Sequence, residues 1–170
     1  MTRLFGLPPL VSADTRLLVL GSFPGAASLA AQQYYGHPYN QFWRILQAIY
    51  ASGANTICAS SYEMRSAWML SHGVGLWDVY ASCERQGSLD SQIRNPVVND
   101  FAALRQRCPR LQAVAHNGAT SFRHTARLEH LGLPTVRLPS TSPANASWSF
   151  ERKLAAWRDV FEQFGLINGP

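Results

Sequence analysis

A short apolar run near the N-terminus constrains the fold more than any other stretch of this sequence. Leu17-Leu18-Val19-Leu20 contains no polar residue and stops at Gly21. Such a run is typical of a strand that is buried on both faces of a parallel sheet, because helices cover each face. The run therefore predicts a central strand of a parallel sheet.

Three further strands and several helices are predicted along the chain. The other strands are expected at Val74–Tyr80, Leu111–Ala115 and Thr135–Leu138. Helices are expected after the cap Asn40, from a capping box of Ser60 and Glu63 to about Ser71, after the cap Asn99, over Thr120–Leu131, and from about Ser147. Strands that alternate with helices imply an α/β fold, in which helices flank both faces of a mainly parallel sheet of four strands.

The size and the cysteine content are those of one globular domain. A chain of 170 residues buries an adequate core without disulfides. The three cysteines Cys58, Cys83 and Cys108 are far apart and form no C-x-x-C pair, which argues against a zinc ribbon, an iron–sulfur cluster or a disulfide framework. We expect a single domain over residues 1–170, in which residues 1–14 form an extended leader against the body.

The charge balance favours a polyanionic partner. The net charge is +5, and Lys153 is the sole lysine among the 15 basic residues. The planar guanidinium of arginine binds two oxygens of a phosphate or carboxylate at once, so nucleic acid is a plausible ligand. No apolar run approaches the roughly 20 residues of a membrane helix, and the N-terminus lacks the pattern of a signal peptide. We expect a cytoplasmic monomer with no membrane contact.

Four loops leave the carboxyl ends of the predicted strands. They are Gly21–Gly25, the segment from Asp78 onward, His116–Gly118 and Pro139–Asn145. Ligands of open parallel α/β sheets bind beyond those ends, so we expect the four loops to converge on one crevice. The segment Glu84–Asn95 is expected to be a loop that also carries function.

The first of these loops, Gly21-Ser22-Phe23-Pro24-Gly25, lacks the spacings of dinucleotide and P-loop nucleotide sites. Its two glycines and its proline favour a tight turn whose backbone N–H groups point at a bound group. The alternative is a strand-to-helix turn without a ligand.

Several motifs together resemble the uracil-DNA glycosylase superfamily. They are G-S-F-P-G after the first strand, H-P-Y-N-Q-F-W about a dozen residues later, and S-T-S-P-A-N after the last strand. With LWDVYASCERQGSLDS and AHNG, the combination most resembles the hypoxanthine-DNA (deoxyinosine) glycosylase branch, over residues 15 to 160. The resemblance implies a three-layer α/β/α fold and hydrolysis of the N-glycosidic bond of a deaminated base flipped out of DNA. It implies no cofactor and no metal.

This chain departs from many members of the superfamily at Phe23, where they carry an aspartate or asparagine that positions water. Phenylalanine accepts no proton, so another residue must do the polar work. Asn40 is the nearest candidate, and the resemblance supports a catalytic role for it; alternatively it only caps its helix. His37 is a candidate general acid or base, or else a structural hydrogen-bonding residue.

Asn117 and Asp78 complete the candidate catalytic residues. The Asn117 amide donates and accepts, as binding a base edge requires; alternatively Asn117-Gly118 is only a turn. Asp78 could stabilise an oxocarbenium-like sugar, or it could cap a helix.

The base pocket is predicted to combine the first turn with aromatic walls. Backbone N–H groups of Ser22 and Phe23 could stabilise charge on the leaving base. Phe23, Tyr35 and Phe42 are candidates for stacking on it, which contributes about 1–3 kcal/mol per base, although any single aromatic residue could instead belong to the core. Of the adjacent Phe42 and Trp43, one is expected in the core and the other at the pocket.

The loop Ser140-Thr141-Ser142-Pro143-Ala144-Asn145 is predicted to contact DNA phosphates. In better-known branches a catalytic histidine opens this loop; here Ser140 stands at its place, and Ala144 is a small wedge. Lys153 is expected in the last helix, away from the four loops, so no amine is available for a Schiff base. This predicts a monofunctional enzyme that leaves an abasic site.

Two alternative functions remain at this point. H-P-x-N-x-F-W also resembles the mismatch-specific branch, which favours a uracil or G·U/G·T mismatch glycosylase. Phe23 and the missing loop histidine instead suggest a non-catalytic DNA-binding module on the same fold.

Overall fold

A computed structural model describes residues 2–50 and 57–169 of the chain, and within them it contains two sheets. The strands are β1 (Arg3–Phe5), β2 (Leu17–Gly21), β3 (Val74–Asp78), β4 (Tyr80–Glu84), β5 (Arg94–Val98), β6 (Ala113–Asn117) and β7 (Thr135–Leu138). The helices are α1 (Ala26–Ala31), α2 (Phe42–Ile49), α3 (Tyr62–Ser71), α4 (Leu104–Arg107), α5 (Ala119–Phe122) and α6 (Phe150–Gln163). Short 3-10 helices lie at Ile57–Ala59, Asp90–Gln92 and Thr125–Leu131.

The main sheet has the order β3-β2-β6-β7, and all its strand pairs are parallel. This confirms the predicted α/β class and the four-stranded parallel sheet. Gly21 at the end of β2 is in register with Asp78 at the end of β3. Asn117 ends β6 beside Leu138 of β7. The four strand ends therefore lie at one edge of the sheet.

Hydrophobic residues of the strands alternate between two cores. Leu17 and Val19 pack against α2, α3 and α6 on one face, with Trp157 and Phe161 at the centre of that core. Leu18 and Leu20 face the opposite core, which α4, the Thr125–Leu131 3-10 helix and part of a second sheet cover. All four of these strand residues are fully buried, as expected for a central strand of a three-layer fold.

The second sheet was not predicted. It is antiparallel, with the order β1-β4-β5. Residues 1–14, the predicted leader, contribute β1. Strand β5 begins inside the segment Glu84–Asn95, which was expected to be a loop, and extends past its end. Residues Arg94–Val98 are largely exposed and include Pro96, so they lack the apolar alternation that indicates a strand. Proline is accepted in a sheet at an edge, and β5 is such an edge.

Several predicted boundaries are corrected. The predicted strand Val74–Tyr80 is two strands that belong to different sheets, separated at Val79. The third main-sheet strand runs over Ala113–Asn117 rather than Leu111–Ala115. Thr120–Leu131 is not one helix but the short α5 followed by a 3-10 helix.

Two predicted helix caps are also corrected. Ser61, not Ser60, caps α3: its Oγ accepts the Met64 N–H at 3.2 Å. Asn99 does not cap α4, which begins at Leu104; instead its Nδ2 donates to the Asp78 carbonyl at 2.8 Å. Asn99 thus fixes the turn that carries Asp78.

None of the helices in residues 2–50 and 57–169 is both long enough and apolar enough to span a membrane.

Candidate active site at the strand ends

A cavity of about 840 Å³ opens beyond the carboxyl ends of the main-sheet strands. This is within the range of roughly 300–1,000 Å³ that is usual for small-molecule sites. All four predicted loops line the cavity, so their convergence is confirmed. One further segment, Ser88–Asp90, lines it as well.

The buried side chain of Arg85 is hydrogen-bonded to the Gly21–Gly25 turn. Arg85 Nη2 donates to the Pro24 carbonyl at 2.6 Å, and its guanidinium lies 5.3 Å from the centre of the Phe23 ring. Arg85 is only 5% exposed, although its Nε and Nη1 have no hydrogen-bond partner in the described chain. No sequence pattern predicts this contact, since Arg85 lies 61 residues from Pro24.

The Ser88–Asp90 segment is fastened to the same turn at two points. Ser22 Oγ donates to Asp90 Oδ1 at 2.8 Å, and the Ala26 N–H donates to Ser88 Oγ at 2.9 Å. Leu89 lies between these contacts and is 52% exposed. The position of a polar loop shortly after a strand end was the one sequence signal for this wall of the cavity.

Asp78 places a buried carboxyl group on the cavity wall. It is 5% exposed, and its Oδ2 has no hydrogen-bond partner among the described residues. Burial, together with the negative charge of Asp90, raises the pKa of Asp78 to about 7, while Arg85 opposes the shift. Close to neutral pH this carboxyl group is therefore present in both protonated and ionised forms.

Gly21 is required for this arrangement because the Asp78 side chain occupies the space beside it. A Cβ added at Gly21 would lie 2.5 Å from Asp78 Oδ1 and 3.3 Å from the Tyr35 hydroxyl oxygen. Gly21 thus lets the carboxyl group and the phenol approach the first turn together.

Asn117 connects three parts of the site. Its Oδ1 accepts the Thr141 N–H at 3.0 Å, and its Nδ2 donates to Thr141 Oγ1 and to the Tyr35 hydroxyl, both at 3.0 Å. Both amide hydrogens are thereby occupied. The carboxamide thus connects Tyr35 with the loop after β7, and its role in binding a base edge stays a prediction.

Asn40 and His37 lie together on another side of the cavity. The N-cap residue of α2 is Gln41, one residue after the predicted cap, whereas Asn40 Oδ1 accepts the N–H of Phe42, the first helical residue, at 3.0 Å. Asn40 lines the cavity, and no hydrogen bond in residues 2–50 and 57–169 uses its Nδ2 as a donor. His37 Nδ1 accepts the Tyr39 N–H at 3.1 Å, which places the hydrogen of a neutral imidazole on Nε2.

The predicted aromatic walls divide into two layers. Phe23 and Tyr35 line the cavity, whereas Phe42 does not. Phe42 is fully buried and stacks on Tyr35 with ring centres 4.4 Å apart. Trp43 is also buried, and its Nε1 donates to the Tyr34 carbonyl at 3.1 Å. The expectation that one residue of the Phe42-Trp43 pair faces the pocket is therefore wrong: both belong to the core.

Tyr35 has a left-handed backbone, with φ of 55°. Burial and the nearby Asp78 raise its pKa, so the hydroxyl remains protonated at neutral pH.

The loop Ser140–Asn145 is ordered by its own side chains. Ser140 Oγ accepts the Ser142 N–H at 3.1 Å, and Ser142 Oγ accepts the Ala144 N–H at 3.2 Å. Asn145 Nδ2 donates to the Ser140 carbonyl at 3.2 Å. These local bonds produce a compact polar rim along the cavity mouth.

Lys153 lies closer to the site than expected. It is 2% exposed, and its Nζ donates to Gln41 Oε1 at 2.9 Å. The Gln41 N–H in turn donates to the Thr141 carbonyl at 3.0 Å. The expectation that Lys153 is remote from the loops is thus corrected: it lies behind them, although it does not line the cavity.

In the described part of the chain, no three His, Cys, Asp or Glu side chains are grouped so that they could hold a metal ion. The polar side chains that line the cavity include amides, hydroxyls, the His37 imidazole, the Arg137 guanidinium and the carboxyl groups of Asp78 and Asp90.

Comparisons with known proteins agree with this geometry. Residues 8–161 match the model of the uracil DNA glycosylase superfamily. A protein of Methanosarcina barkeri named hypoxanthine DNA glycosylase is 35% identical over 158 residues, which are 93% of this chain and 98% of that protein. A protein of the same name from Methanosarcina acetivorans is 36% identical over 156 residues, which are 92% of this chain and 96% of that one. The solution NMR structure of a candidate uracil DNA glycosylase from Methanosarcina acetivorans superposes with a TM-score of 0.84 at 33% identity, covering 96% of this chain and 99% of that one.

Proposed function

Because this chain belongs to the uracil DNA glycosylase superfamily, we propose that it is a DNA repair glycosylase that removes hypoxanthine from deoxyinosine and leaves an abasic site. The names of the two relatives at 35% and 36% identity support this substrate. The observation that carries the proposal is the cavity itself, in which the Asn40 amide and the Asp78 carboxyl group line a space large enough for one flipped purine. A base must leave the stack to enter such a cavity.

The cavity offers stacking surfaces and donors for a purine. Phe23 and Tyr35 line the cavity, and aromatic rings in such positions suit stacking on any flipped base. No hydrogen bond within the described chain occupies the backbone N–H groups of Ser22 and Phe23. Donors of this kind, placed in a partly dry site, stabilise negative charge that develops on a leaving base.

Asn40 is the proposed water- or base-orienting residue. Since its Oδ1 is held by the Phe42 N–H, its Nδ2 is the atom that acts on the substrate. The side chain is thus fixed in orientation before DNA binds, as effective catalysis by positioning requires.

The rim of the cavity suits a DNA backbone and a local break in base stacking. The hydroxyls of the Ser140–Asn145 loop and the exposed Arg137 suit phosphate oxygens. Ala144 offers little bulk to replace a flipped base. Leu89 is larger, is 52% exposed, and is held between two contacts with the first turn. Apolar side chains that enter a base step keep DNA kinked, and Leu89 is the proposed residue for this role.

The proposed reaction has no covalent enzyme intermediate. Lys153 is the one lysine of the chain, and its ammonium is bound to Gln41 outside the cavity lining. A Schiff base at the sugar requires an amine within reach. Hydrolysis by water, followed by release of an abasic site, fits the residues that are present.

A substrate panel tests the proposal. Duplexes with a single inosine, a single uracil or a G·T mismatch are incubated with the protein, and abasic sites are cleaved with alkali and resolved on a gel. We expect strand cleavage of inosine DNA that depends on the alkali step. Cleavage of uracil DNA alone would favour the uracil or mismatch alternative. Salt-sensitive DNA binding without release of any base would favour the non-catalytic alternative.

A further inference from the structure

We propose that Asp78 is the general acid that protonates the imidazole ring of the departing purine. This inference rests on the proposed function, since it assigns the residue that makes hypoxanthine a good leaving group.

The geometry of Asp78 favours a neutral acid over an ion-paired carboxylate. The group lines the cavity, its side chain is almost fully buried, and its Oδ2 has no partner in the described chain. Structural carboxylates in such places are normally ion-paired or accept several hydrogen bonds. Asp78 forms no salt bridge with any of the described residues.

Among the charged groups near Asp78, the negative Asp90 affects its pKa more than the positive Arg85 does. Asp90 faces it from the Ser88–Asp90 segment, and Arg85 faces it from the end of β4. The guanidinium is bound to the Pro24 carbonyl rather than to the carboxyl group. Tyr34 and Tyr35 line the same cavity, and their phenols stay protonated because burial, with Asp78 nearby, raises their pKa. Burial and Asp90 together hold the pKa of Asp78 near 7, where a general acid is most effective at neutral pH.

The chemical step balances with water as the sole co-reactant. The bond between C1′ and N9 breaks, and its electron pair remains on N9 of the base. The Asp78 carboxyl proton moves to N7, so that hypoxanthine leaves as a neutral molecule. Water adds to C1′ and yields its proton to the Asp78 carboxylate, which restores the acid.

This role separates purine from pyrimidine substrates. Hypoxanthine has a ring nitrogen, N7, with a lone pair that can accept the proton as the bond breaks. Uracil has no such nitrogen and must leave as an anion, which donors to its oxygens stabilise. A protonated Asp78 therefore assists departure of the purine specifically.

The test is the pH dependence of single-turnover cleavage of inosine DNA between pH 5 and 9. The wild-type rate should fall about tenfold per pH unit above about pH 7, since the acid form is lost. Asp78→Asn should lower the rate at pH 6 by about 10²–10⁴-fold and abolish the decrease above pH 7, the alkaline limb of the pH profile. Asp90→Asn should move the limb to lower pH because it removes a neighbouring negative charge. His37→Gln should retain the decrease in cleavage rate above pH 7, whatever the absolute rate of this variant.

Each other outcome overturns the inference. A rate that rises with pH through 7 would mean that ionised Asp78 acts, as expected for a group that stabilises an oxocarbenium ion. A flat profile, or a limb that His37→Gln removes, would assign the proton to another group. Absence of inosine cleavage at every pH would overturn the proposed function together with this inference, whereas cleavage with the wrong profile overturns the general-acid role alone.

Discussion

Asn117 and Thr141 are joined by two hydrogen bonds whose directions fix each other. The Thr141 N–H donates to Asn117 Oδ1 at 3.0 Å, and Asn117 Nδ2 donates to Thr141 Oγ1 at 3.0 Å. A backbone N–H can only donate, so the orientation of the carboxamide is unambiguous. The second Nδ2 hydrogen is then directed to the Tyr35 hydroxyl. The end of β6, the loop after β7 and one wall of the cavity thereby form a single unit.

The first prediction concerns this unit. Thr141→Val keeps the side-chain volume and the backbone N–H but removes the acceptor for a buried Asn117 Nδ2 hydrogen. We expect it to lower the free energy of unfolding by about 1–3 kcal/mol and to reduce inosine cleavage. Thr141→Ser retains the hydroxyl and should lose only about 1 kcal/mol, from one buried methyl group. Urea denaturation and single-turnover rates measure both; equal behaviour of the two variants would contradict the proposed positioning role.

The second prediction separates capping from catalysis at Asn40. Asn40→Asp keeps an acceptor for the Phe42 N–H but removes the Nδ2 donor, whereas Asn40→Ala removes both. We expect Asn40→Asp to retain wild-type stability and Asn40→Ala to lose about 0.5–2 kcal/mol. Both variants should cleave inosine DNA about 10²–10³-fold more slowly, by analogy with loss of one positioned donor. Full activity of Asn40→Asp would show that the amide donor is not the acting group.

The third prediction concerns stability and pH. The pKa of Asp78 is about 7 in the folded protein against 3.8 for the free group, so the folded state holds a proton that the unfolded state releases above pH 4. Folding is therefore favoured by this group below about pH 4, and the contribution is lost as pH rises through 7. Asp78→Asn removes the dependence. We expect its stability relative to wild type to increase between pH 4 and pH 8 by roughly 4 kcal/mol, while its activity is lost.

Denaturation of wild type and Asp78→Asn at four or five pH values checks this result. Asp14 is exposed and lies outside the cavity lining, so Asp14→Asn serves as the control for the loss of one carboxylate. A constant difference between wild type and Asp78→Asn across the pH range would argue against a protonated Asp78.

The fourth prediction uses two glycines of the same turn. A Cβ at Gly21 would lie 2.5 Å from Asp78 Oδ1, whereas at Gly25 its nearest neighbour would be Ser88 Oγ at 3.4 Å. Gly21→Ala must displace the carboxyl group, and overpacking of this kind costs about 1–3 kcal/mol. Gly25→Ala meets ordinary contact distances and should keep the wild-type melting temperature. A melting temperature for Gly21→Ala equal to that of wild type would contradict the close approach.

The fifth prediction tests Leu89 at the cavity mouth. If Leu89 fills the gap that a flipped base leaves, Leu89→Ala should slow cleavage of inosine in a duplex at least tenfold and leave cleavage of single-stranded inosine DNA nearly unchanged. Val97 is similarly exposed, at 49%, but lies on β5 and not on the cavity lining. Val97→Ala should affect neither substrate. An equal loss on both substrates for Leu89→Ala would mean that Leu89 packs on the base rather than entering the duplex.

Local sequence patterns were sufficient for the main sheet. Leu17–Leu20 is continuously apolar, and Thr135–Leu138 contains the β-branched Thr135 and Val136; both segments are strands in the structure. The predicted ends of helices and strands were less accurate where contacts with other residues determine them. Ser60 fits a capping box by spacing, but its hydroxyl donates to the Ile57 carbonyl and Ser61 caps α3. The choice between adjacent serines depends on backbone direction, which spacing does not contain.

By itself, the sequence determined the fold class and the convergence of four loops at one edge of the sheet, because these follow from hydrophobic periodicity and from the direction of parallel strands. Asn40 was singled out instead by the resemblance of its motif to the uracil-DNA glycosylase superfamily. Only the tertiary structure decided which polar groups are already occupied. Asn117 is bound by Thr141 and Tyr35, Phe42 lies behind Tyr35, and Asp78 Oδ2 has no hydrogen-bond partner in the part of the chain that the structure describes. Hydrogen-bond occupancy and desolvation arise from contacts between residues that are distant along the chain, so a linear pattern can suggest a group but cannot fix its state of charge.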